Sequence, residues 1–125
     1  MFKLPSKKPE DTRHKGRSYE QQAESYLISK GYTILERNWQ ASHKEIDLIA
    51  QKDDTITFVE VKGARSSKFG HPAEKVDRRK QMNLVAAAER YISENGLHGY
   101  DFQIDLITIF KGRLEHYPNA FECAD

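Results

Sequence analysis

Glu45-Ile46-Asp47-Leu48-Ile49-Ala50 and Thr55-Ile56-Thr57-Phe58-Val59-Glu60-Val61-Lys62 are two strand-like runs on either side of the polar Lys52-Asp53-Asp54. β-branched and aromatic runs around a short polar link predict a β-hairpin. With the turn centred between Asp53 and Asp54, paired residues have numbers summing to 107, and Asp47 falls opposite Glu60. Cross-strand neighbours on one face bring their Cβ atoms to roughly 4.5–5.5 Å, so two carboxylates should meet there. Like charges so placed destabilise a sheet, and a divalent cation is the expected compensation. Lys62 projects from the same face, about 7 Å further along its strand. The hydrophobic flanks of both runs argue that these charges lie in a buried sheet, where unpaired charge is costly.

Outward from the hairpin, Tyr19, Ala23, Tyr26 and Leu27 fall at helical spacing and Gly31 stands where a left-handed cap would end the helix, predicting a helix over about 17–30. On a helical wheel Glu20 lies beside Leu27 at the edge of the apolar stripe, from where it can look into a cleft. Residues 32–39 read as a first strand. After the hairpin, Gly63 to Pro72 reads as a loop and residues 73–95 as a long helix ended by Gly96, with Val76, Leu84, Ala87, Ala88, Tyr91 and Ile92 on its apolar stripe. Lys80 falls inside that stripe, so it must be paired, reach outward, or serve the site. Residues 101–110 form a further strand, and Gly112 turns into a short segment around Leu114 to Tyr117. The order is α-β-β-β-α-β-β, an α/β domain. Residues 1–15, with Pro5, Pro9 and mixed charge, read as a flexible basic arm, 16–121 as one domain, and 122–125 as a tail.

The 125 residues are 38% hydrophobic and 31% charged, and no apolar run approaches the roughly 18 residues of a membrane span. The expectation is a cytoplasmic protein with no membrane partner, since the basic N-terminus lacks the apolar stretch of a secretory signal. A single cysteine, Cys123, can make neither an internal disulfide nor a zinc site. The net charge of +1 is unevenly spread: residues 3–17 carry +4 and residues 62–80 carry +5, leaving about −8 elsewhere. Two basic segments in an otherwise acidic chain predict a polyanionic partner, with Arg17, Arg65, Lys68, His71, Lys75, Arg79 and Lys80 as its contacts.

An Asp, a hydrophobic strand turn and Glu-x-Lys is an arrangement suited to metal-dependent phosphodiester cleavage. Asp47 and Glu60 would hold Mg²⁺ or Mn²⁺ through hard oxygen ligands, with the carbonyl of Val61 as a third. Lys62 is placed to orient or help deprotonate the attacking water and to stabilise developing charge, and Glu20 to complete the ligand set or hold a second metal. Glu-x-Lys by itself is commonplace and usually a weak surface ion pair. The register match to Asp47 is what gives it meaning. His43, His71, His98 and His116 show no metal-ligand spacing and read as surface or loop residues, while Trp39 and the tyrosines read as core. No glycine-rich phosphate cradle and no Gly-x-Ser-x-Gly elbow is present, which argues against nucleotide hydrolases and esterases.

Gly16-Arg17-x-x-Glu20-x-x-Ala23-x-x-Tyr26-Leu27, Gly31-Tyr32, Arg37-Asn38, Glu45-Ile46-Asp47-Leu48-Ile49-Ala50, Phe58-Val59-Glu60-Val61-Lys62, Phe69-Gly70, Lys80 and Asn119-Ala120-Phe121 together resemble the YraN-like family of small bacterial proteins. The resemblance runs from about residue 16 to 121. That family is similar to archaeal Holliday junction resolvases and the wider restriction endonuclease-like superfamily. It implies a restriction endonuclease-like fold with a mixed central sheet flanked by helices, a metal-dependent nuclease acting on structured or branched DNA, and Glu20, Asp47, Glu60 and Lys62 as active-site residues. Analogy with junction resolvases also implies a homodimer. The chain departs from the family pattern at Lys44, where glycine is usual, and at Ala64, where arginine is usual. The alternative is a nucleic-acid-binding module that keeps the fold without catalysis.

Overall fold

The computed structural model describes residues 14–64 and 76–121, with side chains from Tyr19 onward. Helix α1 (His14–Ser29) leads into strands β1 (Thr33–Ala41), β2 (Lys44–Lys52) and β3 (Thr55–Ala64). Helix α2 (Arg78–Asn95) then precedes β4 (Asp101–Phe110) and β5 (Arg113–Tyr117). The five strands form one sheet in the order β1-β2-β3-β4-β5, antiparallel throughout except for β3 and β4, which run parallel. Parallel neighbours need a crossover connection, and α2 lies in it. This is the expected α-β-β-β-α-β-β order, an α/β architecture consistent with the restriction endonuclease-like fold.

The hairpin register follows the expected sum from Lys52↔Thr55 through Ala50↔Thr57 to Leu48↔Val59. Asp53 takes the left-handed conformation in the turn, with φ +54°. Each helix covers one face of the sheet. Ala23 and Leu27 of α1 pack with Leu48, Ala50, Val59, Ile107 and Ile109, all buried. Leu84, Ala87, Ala88 and Tyr91 of α2 pack with Ile46, Ile49, Phe58, Ile104 and Leu106 on the other face. Full burial of a leucine such as Leu27 or Leu84 contributes roughly 1.5–3 kcal/mol, so these two interfaces hold the helices in place.

Two helix starts differ from expectation. α1 begins at His14 rather than near residue 17; residues 1–13, in the expected arm, and the expected tail 122–125, with Cys123, lie outside the described residues. α2 begins at Arg78, because Asp77 is extended and its carboxylate accepts the Lys80 N–H at 3.0 Å, an N-cap that fixes the start of the helix. Val76 therefore precedes the helix, yet it is still buried in the α2-side core. The C-terminal end is as expected, with Gly96 left-handed at φ +63°.

One glycine is required by close approach. A Cβ on Gly63 would stand 2.2 Å from the Tyr19 ring. The ring of α1 thus lies directly on the β3 backbone, one residue beyond Lys62, and brings the next residue, Glu20, to the same end of the sheet.

Candidate metal centre at the end of the β2–β3 ladder

The ladder between β2 and β3 stops at Leu48↔Val59. One step further, the Asp47 carboxylate replaces the missing main-chain partner and accepts the Val61 N–H at 2.8 Å. In an extended strand the N–H and carbonyl of one residue leave on the same side, so the Val61 carbonyl faces the same opened edge. Glu60 lies beside Asp47, and its carboxyl is 2% exposed as a residue. Its Oε2 receives two ammonium groups, Lys62 at 3.5 Å and Lys80 at 3.4 Å. Its Oε1 is buried with no hydrogen-bond partner. Burial and the Glu60 charge, assisted by Glu20 and Glu45 and opposed by the Val61 N–H, push the Asp47 carboxyl well above the ordinary carboxylate range. Burial also raises Glu20, with an Asn38 hydrogen bond pulling the other way and Glu45 and Glu60 adding repulsion.

Sheet alternation breaks at this level, and the break shapes the site. Arg37 reaches α1 by a bidentate pair with Glu24 at 2.8 and 2.6 Å, while Trp39 packs on the α2 side against Tyr91. In a flat strand residues 37 and 39 would share a face. Between them Asn38 is left-handed, φ +52°, a conformation that asparagine tolerates better than most residues. On β2 the same switch separates Ile46, in the α2-side core, from Leu48, in the α1-side core, with Asp47 between them. A cavity of about 530 Å³ opens alongside, lined by Glu20, Gln21, Glu24, Ser25, Arg37, Asn38 and Leu48.

Among the described residues no three His, Cys, Asp or Glu side chains converge closely enough to hold a metal ion by themselves. The donor set that does converge is two carboxylates and a main-chain carbonyl edge. It fits a hard divalent ion that keeps several waters, and the orphaned Glu60 Oε1 and the strained Asp47 carboxyl are the groups such an ion would satisfy. The expected residues are thus brought together in part: Asp47, Glu60, Val61 and Lys62 meet at the ladder end, and Glu20 adds its charge from α1. Lys80, expected to contact nucleic acid, is paired with Glu60 at the site. Arg79 is exposed on α2. Arg17 lies in α1 with its side chain outside the described residues, and Arg65, Lys68, His71 and Lys75 also lie outside them.

A second polar constellation was not foreseen. Asp105, fully buried on β4, accepts from the Gln103 amide at 2.9 Å, the Asn119 N–H at 2.9 Å and His116 Nε2 at 2.6 Å. His116 Nδ1 meets the Tyr26 hydroxyl of α1 at 2.9 Å. His116, read from sequence as a surface residue, is therefore a partly buried strut between α1 and the sheet, because Asp105 offers it a charged partner. His43 and His98 are exposed, as expected, and His71 is outside the described residues. The signal for Asp105 was its place as a lone acid in the otherwise apolar Ile104-Asp105-Leu106. Asn38 and Glu45 were likewise not read as site residues, since no spacing reveals a left-handed backbone.

A five-stranded mixed sheet with one parallel pair, a helix on each face and acidic residues where a central ladder opens defines an α/β domain of restriction endonuclease-like architecture. Comparison with known proteins supplies the family. The profile of the uncharacterised protein family UPF0102 matches residues 19–109, and the chain belongs to that family, the YraN family of the sequence resemblance. A UPF0102 protein of Sulfurihydrogenibium sp. is 39% identical over 111 residues, covering 89% of this chain and 96% of that one. A UPF0102 protein of Clostridioides difficile is 39% identical over 113 residues, covering 89% and 99%. One from Syntrophomonas wolfei is 42% identical over 106 residues, covering 82% and 92%. No helix among the described residues is long and apolar enough to cross a membrane.

Proposed function

We propose that this chain is a metal-dependent endonuclease that hydrolyses phosphodiester bonds in nucleic acid, with structured or branched DNA as its substrate. The observation that carries this reading is the pair of carboxylates at the open end of the ladder, Glu60 buried with an unpartnered oxygen and Asp47 half-buried with its proton affinity held far above the ordinary value. Asp47, Glu60 and the Val61 carbonyl are the groups that would hold Mg²⁺ or Mn²⁺. When bound, such an ion polarises the phosphate and makes its coordinated water more acidic.

The remaining roles follow from the chain's own groups. Lys62 is about a third exposed and paired with Glu60 Oε2 at 3.5 Å, which keeps its ammonium group beside the two acids, where it can orient water and offset charge developing on phosphorus. Lys80 shares the same oxygen and leaves the buried Oε1 without a partner. Glu20, at the mouth of the cavity and with a raised proton affinity, is suited to take up or return a proton. The basic segments, with Arg17, Arg65, Lys68, His71, Lys75 and Arg79, would fix the phosphate backbone.

A second reading, a nucleic-acid-binding module without catalysis, draws on the two lysines that already neutralise Glu60 Oε2 without any metal. One experiment separates the two. Labelled single-stranded, duplex, flap and four-way-junction DNA is incubated with the protein in Mn²⁺ or in EDTA. Cleavage of the branched substrates in Mn²⁺, absent in EDTA and absent in Asp47→Asn, is expected. Binding without cleavage under every condition overturns the nuclease reading and favours the binding module.

A further inference from the structure

We propose that Asn38 is the positioning residue for Glu20: its side-chain amide fixes the α1 carboxylate beside the Asp47–Glu60 pair. The inference rests on reading this face as a nuclease site, and it concerns a residue to which nothing so far assigns a role. The amide stands between two carboxylates, and because both neighbours only accept, the end facing them is assigned as the nitrogen, 3.0 Å from Glu45 Oε2 and 3.1 Å from Glu20 Oε1. Carboxylates only accept, so this orientation uses both N–H donors of the amide, one for each acid. Glu20 and Glu45 repel one another, and a neutral double donor between them relieves this without adding a cation that would compete with a metal.

The backbone explains why asparagine stands there. Residue 38 is left-handed at φ +52°, and the side chain is thereby turned toward α1 at the point where Arg37 also reaches α1 and Trp39 turns away. Asparagine combines tolerance of that conformation with a short double donor. Aspartate would suit the backbone equally well but would place a third acceptor between two acids. Register adds a further link. β1 pairs Arg37 with Leu48 and Trp39 with Ile46, so residue 38 stands opposite Asp47. Continued one step past Leu48↔Val59, the β2–β3 register sets Asp47 level with Glu60, so Asn38, Asp47 and Glu60 fall at one level of β1, β2 and β3. Asn38 and Glu20 also line the same cavity, so the contact borders the space a substrate would enter.

The test uses two variants and two readouts on the full chain. Asn38→Gly keeps the left-handed backbone and deletes the amide. Asn38→Asp keeps the backbone and inverts the hydrogen bonding. In ¹⁵N-labelled protein, the Asn38 side-chain NH₂ signals, assigned by their loss in Asn38→Gly, should move well beyond a linewidth in Glu20→Ala, while those of the exposed Asn83 stay in place. In a Mn²⁺-dependent cleavage assay, loss of such an orienting partner is expected to lower kcat roughly 10–100-fold with KM for DNA little changed. Asn38→Asp should fall further than Asn38→Gly. An Asn38 amide indifferent to Glu20→Ala overturns the inference, as does an Asn38→Gly protein that cuts at the parental rate. If the parent does not cut in Mn²⁺, the nuclease reading falls, and the amide signals alone decide whether Asn38 holds Glu20.

Discussion

Glu60 and Asp105 sit on neighbouring strands almost level with one another, since Val59 pairs with Asp105 and Glu60 with Leu106, but on opposite faces of the sheet. Both are buried, at 2% and 0% exposure. Their surroundings differ in completeness. Asp105 receives an amide, a main-chain N–H and an imidazole, and the imidazole continues to Tyr26. Glu60 receives two lysines on one oxygen and nothing on the other, next to a second carboxylate it repels. A saturated buried acid ties elements together, whereas an unsaturated one stores unfavourable energy that a ligand can release. The comparison marks the Asp105 side as structure and the Glu60 side as site, although a count of buried acids would treat them alike.

The largest test of that division is Asp105→Ala. It strips three donors of their acceptor in a dry environment and should cost about 3–5 kcal/mol in urea unfolding, the usual loss when one member of a buried charged network is removed. A loss below about 1 kcal/mol would erase the distinction between the two sides.

Glu60→Gln probes the other side. Lys62 and Lys80 are each about a third exposed and can turn to water, so the metal-free variant should stay within about 1 kcal/mol of the parent. What it should lose is the response to Mn²⁺, which in the parent should amount to roughly 2.7 kcal/mol of stabilisation at a hundredfold excess over Kd. Thermal melts with and without Mn²⁺ read both quantities.

Asp47→Asn should show the stored repulsion directly through pH. The folded-state proton affinity of Asp47 is raised above its ordinary value of 3.8, so above that value the folded chain still binds a proton that the unfolded chain has released. Stability of the metal-free parent is therefore fully present at low pH and declines as pH rises from the ordinary carboxylate range through the raised value. In EDTA, Asp47→Asn should remove that decline and be as stable as the parent or more so near neutral pH, by on the order of 1 kcal/mol. It should also lose cleavage. A parent whose stability is flat over that range, or a variant that keeps its metal response, would mean that Asp47 is neither strained nor a ligand.

The smallest effect is expected from Tyr26→Phe, which removes only the outermost hydrogen bond of the Asp105 chain and should cost about 1 kcal/mol. Its cleavage rate should be that of the parent, which sharpens the contrast with Asn38→Gly.

How much of this was legible in the sequence depended on how local the cause was. The β2–β3 register followed from a polar turn between two β-branched runs, and Lys80 was placed toward the core side by helical periodicity alone, although its partner, Glu60, was not foreseen. β4 has the expected bounds, Asp101–Phe110. The start of α2 was missed because the apolar stripe extends back to Val76 while the N-cap at Asp77 stops the helix. The Asp105 network was missed for a different reason: Tyr26 and His116 are 90 residues apart, and nothing in either neighbourhood signals the other. The left-handed Asn38 escaped because it answers to the switch of faces in two paired strands, which neither strand reveals by itself.

The single parallel pairing in the sheet also sets an order of assembly. β2 and β3 close through a tight turn, so Asp47 and Glu60 meet in an early, short-range hairpin. β4 joins β3 only by bringing Thr55 to Asp101, a long loop closure with its entropic cost, and such non-local pairings form slowly. Lys80 lies within that closing segment and reaches Glu60 from it. During folding the two acids should thus face one another before their lysine from α2 arrives, and a divalent ion present at that stage should speed refolding of the parent more than that of Asp47→Asn.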